Sequence, residues 1–244
     1  MRTQLKSVLA GTLIFLFCTN CMSGTNEDRI TPSKNNITEE ISIEPFSEII
    51  NGVVADIYYT QSDVTSAKIY GPDNIVPFVK LETKGNTLHI GTKKKIKTKK
   101  GYKMKIYISS PELSKLESKG VGDVRLENKI NTKELTIINS GVGDIKADDL
   151  TCESLKLTSK GVGDIKIKGS SKTGELHSSG VGDVLAENFE VEDLKVFSKG
   201  VGNVKCHATN TLELSSSGVG DIYYKGNPCM QSIKKGIGKI KPMK

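Results

Sequence analysis

Aspartate is the residue through which this sequence could do chemistry, because it recurs at almost even steps. Asp123, Asp144, Asp164, Asp183 and Asp221 each close a Gly-Val-Gly-Asp tetrapeptide, Asn203 closes another, and Gly236-Ile237-Gly238-Lys239 is a degraded last copy. The first glycines, Gly120, Gly141, Gly161, Gly180, Gly200, Gly218 and Gly236, lie 21, 20, 19, 20, 18 and 18 residues apart. Stacked copies would hold carboxylates about 5 Å apart, where like charges repel by roughly 1 kcal/mol in water. Such a column needs a reason. A calcium ladder is one, but the nonapeptide calcium repeat Gly-Gly-x-Gly-x-Asp keeps a residue between glycine and aspartate. Here the two are adjacent, and Asn203 removes a charge without ending the repeat. Turn chemistry is the other reason, since Asp and Asn side chains accept hydrogen bonds from nearby backbone N–H groups. The turn reading is favoured, and no metal or other cofactor is expected.

Two further chemistries fit less well. A Gly-x-Gly phosphate cradle needs a helix starting just after it, and a strand-like run follows each copy. A carboxylate pair for polysaccharide cleavage needs two acids at one tuned separation, whereas these acids are spread evenly. His89, His177 and His207 share no recurring motif with an acid. The coils are also too short to carry the long loops that build a substrate groove. No catalytic residue is expected; a carbohydrate-active enzyme on the same scaffold is the competing reading.

Thiol chemistry falls at the N-terminus. Arg2 and Lys6 precede an apolar run, Val8 to Phe17, too short to span a bilayer stably, and Cys18 and Cys21 follow at once. This order is that of a lipoprotein signal in which a cysteine becomes the acylated N-terminus. Bulky Phe17 precedes Cys18, while the smaller Thr19 and Asn20 precede Cys21, so Cys21 is the expected lipidation site. An ordinary secretory leader with incidental cysteines is the alternative. Residues 22–37 are polar and aperiodic and read as a tether. The expected location is the cell envelope, by lipid anchor to a membrane, with the outer membrane favoured, facing periplasm or exterior. Losing Arg2 and Lys6 with the leader lowers the net charge from +7 to +5. That mild excess and the envelope location argue against a nucleic-acid partner. Cys152, Cys206 and Cys229 remain, an odd number that cannot pair fully. Cys206 takes a place held elsewhere by Leu126, Ala147, Ile167 and Ala186, so it reads as a core filler.

The elements that would position these residues follow from the same alignment. Four residues before the first glycine stand Leu116, Ile137, Leu157, Leu176, Val196 and Leu214; four after it stand Val124, Ile145, Ile165, Val184, Val204 and Ile222. Alternating apolar residues on each side of a glycine turn predict two short strands per coil, each showing one face to a core. Both glycines can supply positive φ at the turn. The central valines, Val121 to Val219, are expected to stack and to be covered by coil on coil. The predicted fold is all-β: a single-stranded parallel β-helix of ~20-residue coils, right-handed by the usual rule for parallel connections. Drifting coil length disfavours a left-handed hexapeptide helix, and identical turns disfavour an antiparallel meander. Residues 111–244 form the regular coils.

Residues 38–110 lack the strict repeat. "ISIEPF", "VVADIYYTQ", "SAKIYG", "VKLETKG", "TLHIGT" and "MKIYIS" alternate apolar and polar residues and read as irregular opening coils of the same solenoid. "KKKIKTKKGYKMK", Lys93 to Lys105, is the densest charge feature. It reads as a solvated loop, or as a contact for anionic glycan or lipid headgroups.

The opening "PFSEIINGVVADIYYTQ" (Pro45 to Gln61), followed by repeats such as "LTIINSGVGDIKAD" (Leu135 to Asp148), resembles the family named putative auto-transporter adhesin, head GIN domain, of Bacteroidetes-type bacteria. The resemblance covers nearly all of residues 38–244. It implies a right-handed β-helix without the catalytic residues of the pectin lyases, and a role in cell-surface adhesion. The partners it implies are a glycan or a cell-surface or matrix component. It brings no established functional residues.

Overall fold

The computed structural model describes residues 29–243. Sixteen strands run through them: β1 (Asn36–Ile41), β2 (Glu48–Asn51), β3 (Asp56–Gln61), β4 (Ser66–Pro72), β5 (Val79–Lys84), β6 (Thr87–Thr92), β7 (Lys105–Ser110), β8 (Lys115–Ser118), β9 (Val124–Asn139), β10 (Ile145–Ser159), β11 (Ile165–Ser178), β12 (Val184–Ser198), β13 (Val204–Ser216), β14 (Ile222–Lys225), β15 (Cys229–Lys234) and β16 (Ile240–Pro242). From β8 onward every pairing is parallel and joins one coil to the next, as a β-solenoid requires.

The coils of β9 to β13 are each one long bent strand rather than two short ones, whereas the next coil is divided into β14 and β15. In β9, Val124 and Leu126 face inward, Ile130 fills a corner, and Leu135, Ile137 and Asn139 face inward again before the glycine turn. The aligned apolar positions become buried ladders. One runs Ile106, Ile57, Val124, Ile145, Ile165, Val184, Val204, Ile222, Ile240. Another runs Leu88, Ile49, Leu116, Ile137, Leu157, Leu176, Val196, Leu214. Cys206 is fully buried, as its alignment predicted, Cys152 is also buried, and all three described cysteines are free thiols. The drift in coil length is confined to one corner. Register shifts fall only between positions such as Ala147 and Leu150, or Leu185 and Glu190. Both straight legs therefore keep register while the corner absorbs one or two residues.

Two residues before the first glycine, or before Val53 in the opening coil, a polar side chain faces inward in coil after coil: Asn51, Ser118, Asn139, Ser159, Ser178, Ser198 and Ser216, all nearly inaccessible. Asn139 shows the use of this position. Its Oδ1 accepts the N–H of Gly141 at 3.2 Å and its Nδ2 donates to the Gly143 carbonyl at 3.0 Å, bracing the turn from within.

The opening section is irregular, as expected, and its coils stack out of chain order. β2 and β3 form a coil whose β3 pairs with β9 on one side and β7 on the other. The coil built from β6 and β7 comes later in sequence yet lies beneath it. Chain order and stacking order thus differ, because β4 returns antiparallel to β7 and β5 antiparallel to β6. β1 then pairs antiparallel with β4 and closes that end. The strand expected at "ISIEPF" is replaced by β1 and β2 on either side of Pro45. The described part of the expected tether is bonded to the body. Ile30 exchanges backbone hydrogen bonds with Lys97 and Lys99, and Asn74 holds Thr31 and Ser33.

Candidate functional site

The aspartate column is a coil-to-coil hydrogen-bond ladder. Oδ1 of Asp123 accepts the N–H of Asp144 at 3.1 Å, Asp144 that of Asp164 at 2.8 Å, and Asp164 that of Asp183 at 2.7 Å. Asp183 then accepts from Asn203 at 2.7 Å, and Asn203 from Asp221 at 3.0 Å. Acceptance of backbone N–H groups, the expected chemistry, is kept, but the partner is the neighbouring coil rather than the local turn. Asn203 serves as well as aspartate because only one acceptor oxygen is needed. The ladder begins earlier than the glycine repeat: Asp56 accepts the Asp123 N–H at 3.1 Å. The signal was present, since "VVAD" (Val53 to Asp56) aligns with Gly-Val-Gly-Asp. At the far end Asp221 accepts the Lys239 N–H at 2.8 Å, and Tyr223 and Lys241 donate to its Oδ2. The Lys239 N–H and these two side chains hold the Asp221 carboxyl down at about 2. Among the described residues no group of His, Cys, Asp and Glu side chains is arranged to hold a metal ion.

The valine column stacks as expected, through bridges linking Val54, Val121, Val142, Val162, Val181, Val201, Val219 and Ile237. It is not covered. Val54 to Val219 are 47–53% exposed, because each side chain sits at the outer apex of its turn. The two glycines of each turn have different reasons. A Cβ on Gly161 would lie 2.1 Å from the Gly141 carbonyl oxygen, at ordinary φ. Gly163 has φ +134° as well, so only the second glycine of the pair uses the left-handed region.

Two further surfaces emerge at the corner and the opening. An open groove of about 950 Å³ runs along the solenoid axis at the corner where coil length varies. Asn131, Thr151, Ser170 and Glu190 stand in register along it. Gln61 fixes its opening end by bonding both the N–H and the carbonyl of Asn131. Lys133, Glu153, Lys172 and Glu192 contribute to its lining, alternating in sign from coil to coil, and Lys172 lies 3.9 Å from Glu153. Burial pushes the Cys152 thiol in its wall up to about 11. The basic run bridges β6 and β7, occupying the place of a glycine turn. Lys94 sits over the Phe78 ring, and Lys105 over Tyr58, which stacks on Tyr107 with ring centres 4.9 Å apart. Sequence reading found the lysines but neither the groove nor the tyrosine pair, whose members are 49 residues apart in the chain. Cys21 and the leader lie outside the described residues.

A family model described as "Putative auto-transporter adhesin, head GIN domain" matches residues 45–228, the span of both the opening coil and the ladders. The chain belongs to the head GIN domain family. A crystal structure of an adhesin-type protein from Bacteroides fragilis is 43% identical, with a TM-score of 0.85, covering 88% of this chain and all of that one. Two proteins from Parabacteroides distasonis, each 25% identical over 88% of this chain and all of theirs, superpose with TM-scores of 0.71 and 0.67. The first is described as an adhesin and the second as a lipid binding protein. None of the curated proteins matches. The family and these neighbours of the head GIN solenoid are described as adhesins or binding proteins rather than enzymes, and a cell-surface or envelope setting agrees with that description. Among the described residues no helix is long and apolar enough to cross a membrane.

Proposed function

We propose that this head GIN solenoid is a non-catalytic, lipid-anchored envelope scaffold for adhesion, holding a glycan chain along its corner groove. The observation that carries the reading is the periodic lining. Amide, hydroxyl and carboxylate groups at Asn131, Thr151, Ser170 and Glu190 repeat at the coil step, and an extended glycan advances by a similar step per ring. A repeated array binds a repeated polymer with many weak, equivalent contacts. An enzyme would instead gather its acids about one bond. The anchor is acylated Cys21, supported by the leader's order of basic, apolar and cysteine residues.

The mature protein, purified with Cys21→Ala, is incubated with host and bacterial glycans. Retention without turnover, lost in Thr151→Lys/Ser170→Lys and kept when Lys93, Lys94 and Lys95 are neutralised, is the expected result. Loss on neutralising the lysines alone moves the contact to the basic loop. Release of reducing ends, abolished by a single acidic-to-amide change, establishes the competing carbohydrate-active enzyme. Cys21→Ala in cells should move the protein to the soluble fraction; a variant still on membranes refutes that anchor.

A further inference from the structure

We propose that the valine ridge is the contact surface for a second copy of this chain, with the two solenoids side by side and pointing the same way. The ridge is a continuous apolar line of eight side chains, Val54 to Ile237, about 34 Å long at the usual strand spacing. Each repeat valine stands between two glycines, so a groove without side chains runs along either flank. A second ridge displaced sideways by one residue enters that groove, and by symmetry the first ridge enters the partner's.

The charges flanking the ridge select this occupant and its direction. Immediately before the first glycine the chain alternates Lys119, Ser140, Lys160, Ser179, Lys199, Ser217 and Lys235. On the opposite flank stand Asp123, Asp144, Asp164, Asp183, Asn203 and Asp221. Each of these gives Oδ1 to the next coil's N–H; Asp123, Asp144, Asp164 and Asp183 keep Oδ2 for another partner, whereas Tyr223 and Lys241 already donate to that of Asp221 and Asn203 keeps only an amide donor. Lys160 and Lys199 have no ion pair among the described residues. When two such faces meet about a two-fold axis parallel to the solenoid, each lysine column lies against the partner's aspartate column, coil for coil. Lys119, which also holds its own Glu117 at 3.0 Å, then faces the other copy's Asp123, Lys160 its Asp164 and Lys199 its Asn203, while serines face Asp144, Asp183 and Asp221. An axis perpendicular to the solenoid would set lysine on lysine and aspartate on aspartate. In the last described coil this register would set Lys235 against Lys239, so the pairing ends before it. The parallel direction also carries both N-termini to the same end, as anchorage of both copies in one membrane requires. An anionic glycan or lipid surface would meet the aspartate column with like charge along the whole ridge, whereas a second copy meets it with lysine and serine in alternation.

The test is sedimentation velocity on the mature protein with Cys21→Ala and Cys229→Ser, at tens of micromolar. The expected species is a dimer. Val142→Glu/Val181→Glu should weaken it at least tenfold with an unchanged melting temperature, since both side chains are already half exposed. Added Val121→Cys should give an intermolecular disulfide with its own copy under mild oxidation. A monomer at these concentrations overturns the proposal, as does a dimer indifferent to the glutamate pair. Cross-linking of Val121→Cys only to Val219→Cys would show the opposite direction and overturn the parallel arrangement. Glycan retention weakened by the glutamate pair in a monomeric protein would assign the ridge to another occupant.

Discussion

Gly161→Ala isolates the physical reason for the repeat. Its Cβ would sit 2.1 Å from the Gly141 carbonyl oxygen, 2.9 Å from the Gly141 nitrogen and 3.0 Å from the Ser140 carbonyl carbon. All three atoms are backbone, so no side chain can swing aside. Relief requires the coils to part by about an ångström at a place where Val162 N–H donates to that carbonyl at 2.9 Å and Gly161 N–H to Asn139 at 2.9 Å. Overpacking of this kind costs about 1–3 kcal/mol, and weakening two backbone hydrogen bonds adds about 1–2 kcal/mol. The sum, about 2–5 kcal/mol, corresponds to a melting temperature lower by roughly 5–15 °C for a chain this size. Positive-φ strain is not the cause, because Gly161 has ordinary φ. Gly91→Ala is the control: its Cβ meets nothing within 4 Å and φ is ordinary, so the change should be neutral or slightly stabilising. Circular dichroism melts of both variants decide the matter. Gly161→Ala within about 2 °C of the parent would refute the argument from coil contact.

Asp164→Asn should leave stability nearly unchanged, as Asn203 already shows an amide serving in the ladder, whereas Asp164→Ala removes the acceptor of the Asp183 N–H and should cost about 1 kcal/mol in denaturant titration. The Asp221 carboxyl is held at about 2, below its ordinary value, so its contribution is present above about pH 4 and is lost as pH falls toward 2; Asp221→Asn should shrink the loss of melting temperature over that window. Burial pushes the Cys206 thiol up to about 12 and that of Cys152 to about 11, while Cys229 is exposed. Thiol titration of folded Cys21→Ala protein should therefore find Cys229 reactive and the other two protected until denaturant is added.

The regular coils were legible because one strand period, one turn and one inward ladder recur with the same residue types. Leu116, Ile137, Leu157 and Leu176 stand at one distance from their glycines, and stacking follows. The opening coil was harder to see for a physical reason. Glycine is needed where a coil's carbonyl lies directly beneath the turn, and Val54 has a bridge partner on one side only, Val121. Val53 and Ala55 can therefore keep their side chains, and the glycines that mark the other turns are missing. Stacking order was hidden too. Alternation of apolar residues in "SAKIYG" and "VKLETKG" gives a strand and its buried face but not the direction of its partner. The valine column misled because an apolar residue between two glycines carries the same letter whether it points to core or to solvent. Nor could the groove be read, since it arises at the corner where bulges break the alignment.

The first and last described coils treat one problem of stacked sheets differently. A stacked sheet presents unpaired N–H and C=O groups at each end, an invitation to end-to-end growth. At the opening end the antiparallel strands β1, β4 and β5 turn back against the direction of the coils, so the regular ladders cannot continue there. In the last described coil β15 and β16 pair on one side only among the described residues, and there the ladders change their side chains. Lys234 pairs in register with Ser216, taking the place of the inward polar residue, and its long cationic side chain is exposed. Ser232 follows Leu214 in the apolar ladder and leaves little for another coil to bury. Lys239 donates its N–H to the last aspartate, but its side chain has no oxygen with which to accept the next. The inward polar, leucine and aspartate ladders thus change residue type in the last described coil, while the ladder through Ile222 keeps an apolar member in Ile240. Gly236-Ile237-Gly238-Lys239 thus loses the aspartate acceptor while keeping the apolar apex and the glycines that let this coil sit on its neighbour.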